Sequence, residues 1–236
     1  MWVRMLVMLA LVNEWCHCCL EEERIGLLEI KVWINDPNPN ILSDWVDNKK
    51  DTDCCKWHGV KCDSTTKRVV ELSLEDTKND YWRYEDLYLN ASLFLPFIEL
   101  RSLNLTRVGL FCCFKNQGFE ILSSKLRKLE TLNLDFNQFN DSILLSLGQL
   151  SSLKSLNLAD NWLTGSTSIN GFEVLVSGLR KLEELDLSGN TLSDNILSFL
   201  HELSSLKILD LSYNNLTTIS SGINGKVASP ISNGLL

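Results

Sequence analysis

The sequence lacks any cluster of Lys and Arg residues, and no apolar run in it is long enough to cross a bilayer. Its 22 basic residues are outnumbered by 30 acidic ones, which gives a formal net charge of -8 at pH 7. Nucleic-acid backbones and anionic membrane surfaces are bound by clustered positive charge, so neither is an expected partner. A membrane-spanning helix needs about 20 apolar residues, so no span is expected in this chain.

The sequence is also poor in histidine, which limits the catalytic sites that it can build. His17, His58 and His201 are the only three. His17 lies in an N-terminal segment that we expect to be removed, and His201 is expected on a solvated helix. No catalytic triad can be assembled from the spacing of the remaining residues. We therefore predict a protein that is not an enzyme and has no cofactor.

Apolar residues are abundant, at 44% of the chain against 22% charged, so the chain can bury a core. Residues 1–18 have the pattern of a signal peptide: Arg4 supplies a positive charge, an apolar core runs from Met5 to Val12, and small side chains precede cleavage before Cys19. A buried N-terminal strand is the alternative. Eight cysteines in a secreted chain are expected to form disulfides. Sequons for N-glycans begin at Asn90, Asn104, Asn140 and Asn215.

A leucine pattern recurs along the chain. The form Leu-x-x-Leu-x-Leu-x-x-Asn-x-Leu is complete in three places and recognisable in three more. The copies begin at Val69, Leu100, Leu129, Leu153, Leu182 and Leu206. Such a period predicts a solenoid of about six coils, in which each coil contributes a short strand with inward leucines and an Asn that satisfies backbone groups at the bend. Thr77 and Val108 replace the Asn in the first two copies, so less regular bends are expected there.

Long and short coils alternate. The second leucines of five successive copies are separated by 29, 24, 29 and 24 residues, so the repeating unit is a pair of coils 53 residues long. Two short segments recur at that distance: Gly118-Phe119-Glu120 as Gly171-Phe172-Glu173, and Asp141-Ser-Ile-Leu as Asp194-Asn-Ile-Leu.

Apolar residues at three- and four-residue spacing predict short helices on the convex side of the coils. The segments concerned are 119–129, 143–150, 172–182 and 196–203. A further amphipathic helix is predicted from Glu21 to Ile34, with Ile25, Leu28 and Val32 on the face that covers the first coil. Three glutamates at its start suit the helix dipole.

The segment before the first repeat contains Trp45 and the run Cys54-Cys55-Lys-Trp57-His58-Gly-Val-Lys-Cys62. With Cys19, it resembles the N-terminal cap of plant extracellular leucine-rich-repeat proteins, a family that includes receptor-like proteins, receptor kinases and polygalacturonase-inhibiting proteins. The resemblance covers residues 1 to about 219. It implies the disulfides Cys19–Cys54 and Cys55–Cys62, with both tryptophans buried against the cap.

Two other arrangements of cysteine were considered. A zinc site built from Cys54, Cys55, His58 and Cys62 is disfavoured because an oxidising compartment favours disulfides. Cys112 and Cys113 have no evident partner, and adjacent cysteines bridge each other only with strain, so free or intermolecular thiols are the alternatives there.

The resemblance implies an α/β fold, a right-handed leucine-rich-repeat solenoid forming a short horseshoe arc. Its parallel sheet is concave, its short helices are convex, and its helical N-terminal cap is disulfide-bonded. The expected division is a signal peptide at 1–18, the cap at 19–66, about six repeats at 67–219 with an insert at 75–95, and a divergent tail at 220–236.

The insert at 75–95 resembles receptor-like proteins more closely than the inhibitors. None of the repeats keeps the proline of the family's Leu-x-Gly-x-Ile-Pro signature, which puts the usual second convex sheet in question. Ser168-Ile-Asn-Gly171 recurs as Gly222-Ile-Asn-Gly225, after which the pattern stops. We therefore expect a chain truncated inside a third long coil, derived from a longer receptor-like gene.

The outward positions of the strands form the concave face, where a solenoid normally binds its partner. These positions are polar and acidic, with few aromatic or basic side chains, and would suit a peptide with basic groups. The candidate ligand-binding residues are Arg107, Asn133, Asp135, Phe136, Asn157, Asp160, Glu184, Asp186, Asp210 and Tyr213.

The resemblance implies a non-catalytic extracellular recognition module of a receptor-like protein, acting in plant defence or developmental signalling. Its expected partner is a peptide or protein ligand, or a related leucine-rich-repeat receptor or co-receptor. The alternatives are an inhibitor of secreted cell-wall hydrolases, or a truncated decoy or co-receptor fragment. The expected location is extracellular, in the apoplast or at the cell surface through partners.

Overall fold

The computed structural model describes residues 19–35, 42–46, 53–75, 87–111, 118–166 and 170–217. The predictions for the signal peptide, for Thr77, for Cys112 and Cys113, and for the tail at 220–236 lie outside these residues, as does most of the insert between 75 and 87.

The described elements are short. The strands are β1 (Val60–Cys62), β2 (Val69–Ser73), β3 (Leu87–Tyr88), β4 (Ser102–Asn104), β5 (Leu110–Phe111), β6 (Thr131–Asn133), β7 (Ser155–Asn157), β8 (Glu184–Asp186) and β9 (Ile208–Asp210). The α-helices are α1 (Glu21–Asn35), α2 (Ile143–Leu147), α3 (Gly171–Gly178) and α4 (Leu197–Leu200). Turns of 3-10 helix lie at Cys54–Lys56, Ala91–Phe94, Phe119–Leu122 and Asp194–Ile196. None of the described helices combines the length and apolar character that a membrane crossing requires.

One strand from each coil joins a continuous sheet in the order β1-β2-β4-β6-β7-β8-β9. The first pair is antiparallel and all the later pairs are parallel. The register aligns the central leucines of the six coils, which are Leu72, Leu103, Leu132, Leu156, Leu185 and Leu209. The predicted six-coil solenoid with a parallel sheet and convex helices is confirmed, although the helices are shorter than the apolar spacing indicated.

The leucines form one core that runs the length of the solenoid. A single coil is too thin to hide both of its strand leucines, so each coil covers the leucines of the next. Full burial of one such side chain stabilises the fold by about 1.5–3 kcal/mol. This stacking explains why strands of only two to five residues and convex helices of only four to eight residues are stable.

The Asn of each complete repeat links its own coil to the preceding one. The Asn161 amide donates to the carbonyls of Leu134, Leu158 and Ala159, and its oxygen accepts from the Phe139 amide. The same four bonds recur around the other repeat asparagines, Asn137, Asn190 and Asn214. The predicted backbone role of these residues is confirmed, since each satisfies groups that would otherwise be buried without a partner.

The bend at Val108 departs from the others at the next residue, Gly109, whose φ is +73°, whereas the equivalent residues of the later coils do not have a positive φ, so the predicted irregularity is found there. Val108 is fully buried. The residue before it, Arg107, takes the same positive φ, 55°, as Tyr213 takes in the last coil. The Val108 side chain is buried at the position where the complete repeats have the Asn side chain. The Leu110 amide is still bound by the Asn137 oxygen of the following coil.

The cap helix α1 buries a different face from the predicted one. Ile25 and Val32 are exposed, at 46% and 71%. The buried positions are Glu23, Gly26, Leu27, Ile30 and Ile34. Gly26 permits this face to approach the first coil, since a Cβ there would lie 3.0 Å from the Pro96 side chain. Charge and size made Glu23 and Gly26 unlike core residues in the sequence.

Glu23 joins the cap to the first strand of the repeats. Its fully buried carboxylate accepts from the Arg68 guanidinium at 3.1 Å and from the Val69 amide at 2.9 Å. Burial raises the pKa of Glu23, and the Val69 and Arg68 contacts lower it in part. The pairing explains how a carboxylate is tolerated in the core.

The remaining cap contacts are covalent and aromatic. Disulfides join Cys19 to Cys54 and Cys55 to Cys62, the pairs that the resemblance implies. Trp45 stacks on Trp57 with ring centroids 5.6 Å apart, and both rings are buried. Sulfurs joined in disulfides are not available as zinc thiolates, so the zinc alternative does not fit this geometry.

A second sheet is present beside the early coils. β3 of the insert pairs in parallel with β5, and Phe111 forms a further bridge with Gln138. The loss of the proline signature therefore has not removed the second sheet, which is formed here by β3 and β5 with their own apolar residues, Leu87 and Leu110.

Candidate functional site

The concave face is built from rows of side chains that the strand register aligns across the coils. One row contains Asn133, Asn157, Asp186 and Asp210 at directly paired positions. Glu184 lies in the adjacent row, between Ser155 and Ile208. Neighbouring members of a row are about 4.8 Å apart, the spacing of strands in a sheet. The structure therefore brings these candidates onto one surface.

The row of Asn133, Asn157, Asp186 and Asp210 also has a structural task that the sequence analysis missed. The Oδ1 atom of each accepts a hydrogen bond from the backbone amide two residues later, at 2.8–3.0 Å. This is the Asx-turn geometry, which Asn and Asp adopt readily. Repetition of Asn or Asp at this position in every coil from β4 onward was the available signal. Only the second polar atom of each side chain remains for a ligand.

Three carboxylates of successive coils, those of Asp135, Asp160 and Asp186, lie near one another on this face, and their charges interact. Burial is the largest cause that raises the pKa of Asp135, to about 6, and the negative charge of Asp160 is the next. Burial, and then the charge of Asp186, raise the pKa of Asp160. The Oδ1 atom of Asp135 is buried and has no hydrogen-bond partner among the residues that the structure describes. We call these three residues the acidic cluster.

Gly189 makes room for the acidic cluster. A Cβ at this position would lie 2.4 Å from the Asp160 Oδ1 atom, and Gly189 has a φ of +64°. Any other residue would be strained there and would displace the Asp160 carboxylate. The glycine thus explains why Asp160 can sit so close to the next coil.

Arg107 and Phe136 border the acidic cluster on the side of the cap. The Arg107 guanidinium carbon is 4.6 Å from the centroid of the Phe136 ring, a cation–π contact. Its charge lowers the pKa of Asp135 and Asp160 in opposition to burial. Phe136 is 45% exposed, so an aromatic surface adjoins the carboxylates. Tyr213 is 75% exposed and lies two coils beyond Asp160.

The sequon residues differ in how they are held. The Asn140 and Asn90 oxygens accept from the serine of their own sequons, Ser142 and Ser92. The Asn104 oxygen accepts in the same way from Thr106, and its amide nitrogen, to which a glycan would attach, also donates to the Glu75 carboxylate at 2.9 Å. Asn140 and Asn215 are exposed.

The two described histidines have structural surroundings. The His58 amide donates to the Asp44 carboxylate, and its carbonyl accepts from the Trp45 indole. His201 is an exposed residue that ends α4. Neither histidine ring is part of the acidic cluster.

Neutralising Asp135 should remove a pH dependence of stability. Because the folded state holds this proton more tightly than the unfolded state, whose pKa is near 3.8, wild-type stability should fall as pH rises from about 4 to about 6. Asp135→Asn should abolish about 1 kcal/mol of that fall, allowing for partial exposure. Urea unfolding at several pH values measures it. Asp186→Asn removes one of the charges that raise the pKa of Asp135, so it should narrow the pH range over which stability falls. An equal dependence of stability on pH in the wild type, Asp135→Asn and Asp186→Asn would contradict the assignment.

The comparisons with known proteins follow the same division into cap and coils. Residues 20–63 match the family described as Leucine rich repeat N-terminal domain, and residues 125–148, 149–166, 178–200 and 205–225 match Leucine Rich Repeat families. "Receptor-like protein 9a" of Arabidopsis thaliana is 40% identical over 188 residues, which cover 78% of this chain and 19% of that protein. The chain belongs to the plant extracellular leucine-rich-repeat family.

A further relative and a solved structure are also similar to most of this leucine-rich-repeat chain. "Receptor like protein 21" of Arabidopsis thaliana is 38% identical over 212 residues, which cover 86% of this chain and 21% of that protein. A crystal structure of the Arabidopsis receptor kinase HAESA, in complex with the peptide hormone IDA and the co-receptor SERK1, superposes with a TM-score of 0.62. It is 29% identical, over 84% of this chain and 30% of that one. The chain thus spans about a fifth of the length of the curated relatives it matches.

Proposed function

We propose that the chain is an extracellular, non-catalytic recognition module of the receptor-like class, which binds a peptide or protein segment with basic groups on its concave face. The acidic cluster is the observation that carries the proposal. Its carboxylates are held close together at the cost of raised pKa values, and a cationic group placed among them would relieve that repulsion. The ten candidate residues of the concave face are proposed as the ligand surface.

The neighbouring contacts supply orientation for such a ligand. Arg107 and Phe136 form an edge with one cation and one exposed ring, so a ligand with an acidic or apolar group beside its basic groups would fit there. HAESA, a relative in fold and sequence, binds a peptide hormone and a co-receptor. By this likeness we propose a peptide ligand and a related leucine-rich-repeat co-receptor as partners, in plant defence or development.

The proposed boundaries follow the sequence analysis. We propose a secretory signal at 1–18, the cap at 19–66 and the repeats at 67–219. The two disulfides of the cap support an extracellular location, because such bonds persist in oxidising compartments. Glycans at the four sequons are part of the same proposal.

Peptide binding tests the acidic cluster directly. The probes are a labelled Gly-Arg-Gly-Lys-Gly peptide and its neutral counterpart, in which citrulline replaces Arg and acetyl-lysine replaces Lys. Fluorescence anisotropy at low ionic strength should show tighter binding of the cationic peptide, and the binding should strengthen between pH 5 and pH 7 as Asp135 loses its proton.

Substitutions distinguish peptide binding by the acidic cluster from attraction to the overall negative charge of the protein. Asp160→Asn combined with Asp186→Asn should weaken binding of the cationic peptide by about tenfold, because two attractive charges are removed. Glu183→Gln is the matched control, since Glu183 is an exposed carboxylate paired with Lys207 outside the candidate surface. Equal losses in the control and the double variant, or equal affinity for the two peptides, would refute the proposal.

A further inference from the structure

A row of partly exposed aromatic side chains begins on the second sheet and continues into a later coil. Tyr88 packs against Phe111 with ring centroids 6.2 Å apart, and Phe111 packs edge-on against Trp162 at 5.5 Å. Tyr88 is 38% exposed and Trp162 is 54% exposed. These three residues, the aromatic row, come from three coils and are brought together only by stacking. A contiguous aromatic surface that is open to solvent is a candidate binding surface.

A sequon lies beside Trp162. The Trp162 amide donates to the Phe139 carbonyl at 2.9 Å, a bond between adjacent coils that sets Trp162 next to Asn140, about 4.8 Å away across the chain direction. The Asn140 oxygen accepts from both the amide and the hydroxyl of Ser142, which orients the side-chain amide. Asn140 is exposed, so this nitrogen is accessible to the transferase.

A second sequon lies at the other end of the aromatic row. Asn90 follows Tyr88 by two residues, with the fully buried Leu89 between them. Alternation along an extended chain therefore places Tyr88 and Asn90 on the same outward side. Sequons at both ends of the row favour a carbohydrate occupant over a protein one, because two glycans would exclude a protein from this flank.

We propose that the aromatic row is a carbohydrate-binding surface whose ligand is the protein's own N-glycan, with the first N-acetylglucosamine on Asn140 packed against Trp162. The apolar C–H face of this sugar would cover the indole, and its hydroxyl groups would stay in water. The inference rests on the secretory location within the proposed function. It does not depend on what the concave face binds.

The test compares glycoforms of the full chain secreted from a eukaryotic host and trimmed enzymatically to one N-acetylglucosamine per site. Peptide mapping by mass spectrometry should find the sugar on Asn140. Asn140→Gln should then lower the melting temperature by about 2–4 °C, the shift that a stacking contact of this kind produces in a domain of this size. An unoccupied Asn140 would overturn the proposal.

A double-mutant cycle with Trp162→Thr isolates the stacking. Thr is the residue that the next coil uses at the equivalent position, Thr191, so the replacement suits the backbone. In the Trp162→Thr background, the shift caused by Asn140→Gln should fall to the part that comes from its lost hydrogen bonds with Ser142, and Asn215→Gln, beside Ser193, should behave alike in both backgrounds. A loss from Asn140→Gln that is equally large with and without Trp162 would overturn the proposal.

A spectroscopic signal keeps the test independent of stability. Ring current from the indole should move the N-acetyl methyl resonance of the Asn140 sugar upfield in the wild-type glycoprotein, and Trp162→Thr should return it to the position seen for the Asn215 sugar. Identical resonances for the two sugars in the wild type would refute the contact. Peptide affinity of the acidic cluster should be unchanged in Trp162→Thr, so a failure here is distinct from a failure of the proposed function.

Discussion

Replacement of Glu23 by alanine is expected to lower the free energy of unfolding by about 3 kcal/mol, because it leaves a partly buried charge and a buried amide without their partner. The two groups are the Arg68 guanidinium, 3.1 Å from the carboxylate, and the Val69 amide, at 2.9 Å. Val69 begins β2, so the loss falls at the junction of cap and repeats. The free energy of unfolding of a natural domain is only about 5–15 kcal/mol, so the cap should detach or the chain should unfold.

Two other substitutions make this expectation specific. Glu23→Gln should cost less than alanine, since one oxygen remains to accept from the Val69 amide. Glu21→Ala removes a glutamate of the same helix turn whose side chain is 66% exposed, so its loss should be within about 1 kcal/mol. Urea unfolding followed by circular dichroism measures all three, and similar midpoints for Glu23→Ala and Glu21→Ala would contradict the structural role.

Replacement of Asp141 by alanine is expected to destabilise the solenoid by about 3–4 kcal/mol. Its carboxylate is 5% exposed and binds the turn of the next coil, accepting from the amides of Thr164, Gly165 and Ser166 and from the Thr164 hydroxyl. Hydrogen bonds to a charged acceptor are about twice as strong as neutral ones. Their loss would leave the buried Gly165 amide without its acceptor and weaken the contact between two adjacent coils.

The repeat supplies a matched control for Asp141. Asp194, 53 residues later, makes the corresponding bonds to the Thr217 amide and hydroxyl. The Asp194 side chain is less buried than that of Asp141, so water can replace its contacts more readily and Asp194→Ala should cost about 1 kcal/mol less than Asp141→Ala. Equal losses at the two positions, measured by urea unfolding of each variant, would contradict the assignment of the larger effect to burial. Asp141→Ala changes the middle residue of the Asn140 sequon and keeps its Asn and Ser.

Recurrence of the leucine pattern accounts for how much of the fold was predictable. The strand positions of all six coils, the asparagine bonds at the bends and the places of the convex helices follow from spacing within one coil. The cap disulfides of Cys19, Cys54, Cys55 and Cys62 came from the family resemblance. These features depend on short stretches of chain or on a specific motif, so they can be recognised without three-dimensional information.

The buried face of α1 was predicted wrongly for a physical reason. Ile25 and Val32 have the spacing of a core face, and so do Glu23, Gly26 and Ile30. Hydrophobicity alone favoured the first set. The second set is buried because Arg68 neutralises Glu23 and because Pro96 requires a residue without a side chain opposite it. Both reasons involve residues about 45 to 70 positions away in the chain.

The candidate site was predictable as a surface and unpredictable as a cluster. The outward strand positions follow from alternation, which identified Asp135, Asp160 and Asp186 as members of one face. Their mutual effect on pKa, the space left by Gly189 and the turn bonds of the Asn and Asp row depend on the lateral register of neighbouring coils. That register is set by how the leucines stack, and no local pattern encodes it.

The absence of clustered positive charge, the leucine period and the cysteine-rich cap thus determined by themselves that this chain is an acidic leucine-rich-repeat solenoid. Only the tertiary structure decided that Glu23 joins the cap to the coils, that three carboxylates meet on the concave face, and that Tyr88, Phe111 and Trp162 form one row. The physical reason is that periodicity reports what lies within a coil, whereas these contacts arise between coils, where residues 23 to 51 positions apart become neighbours.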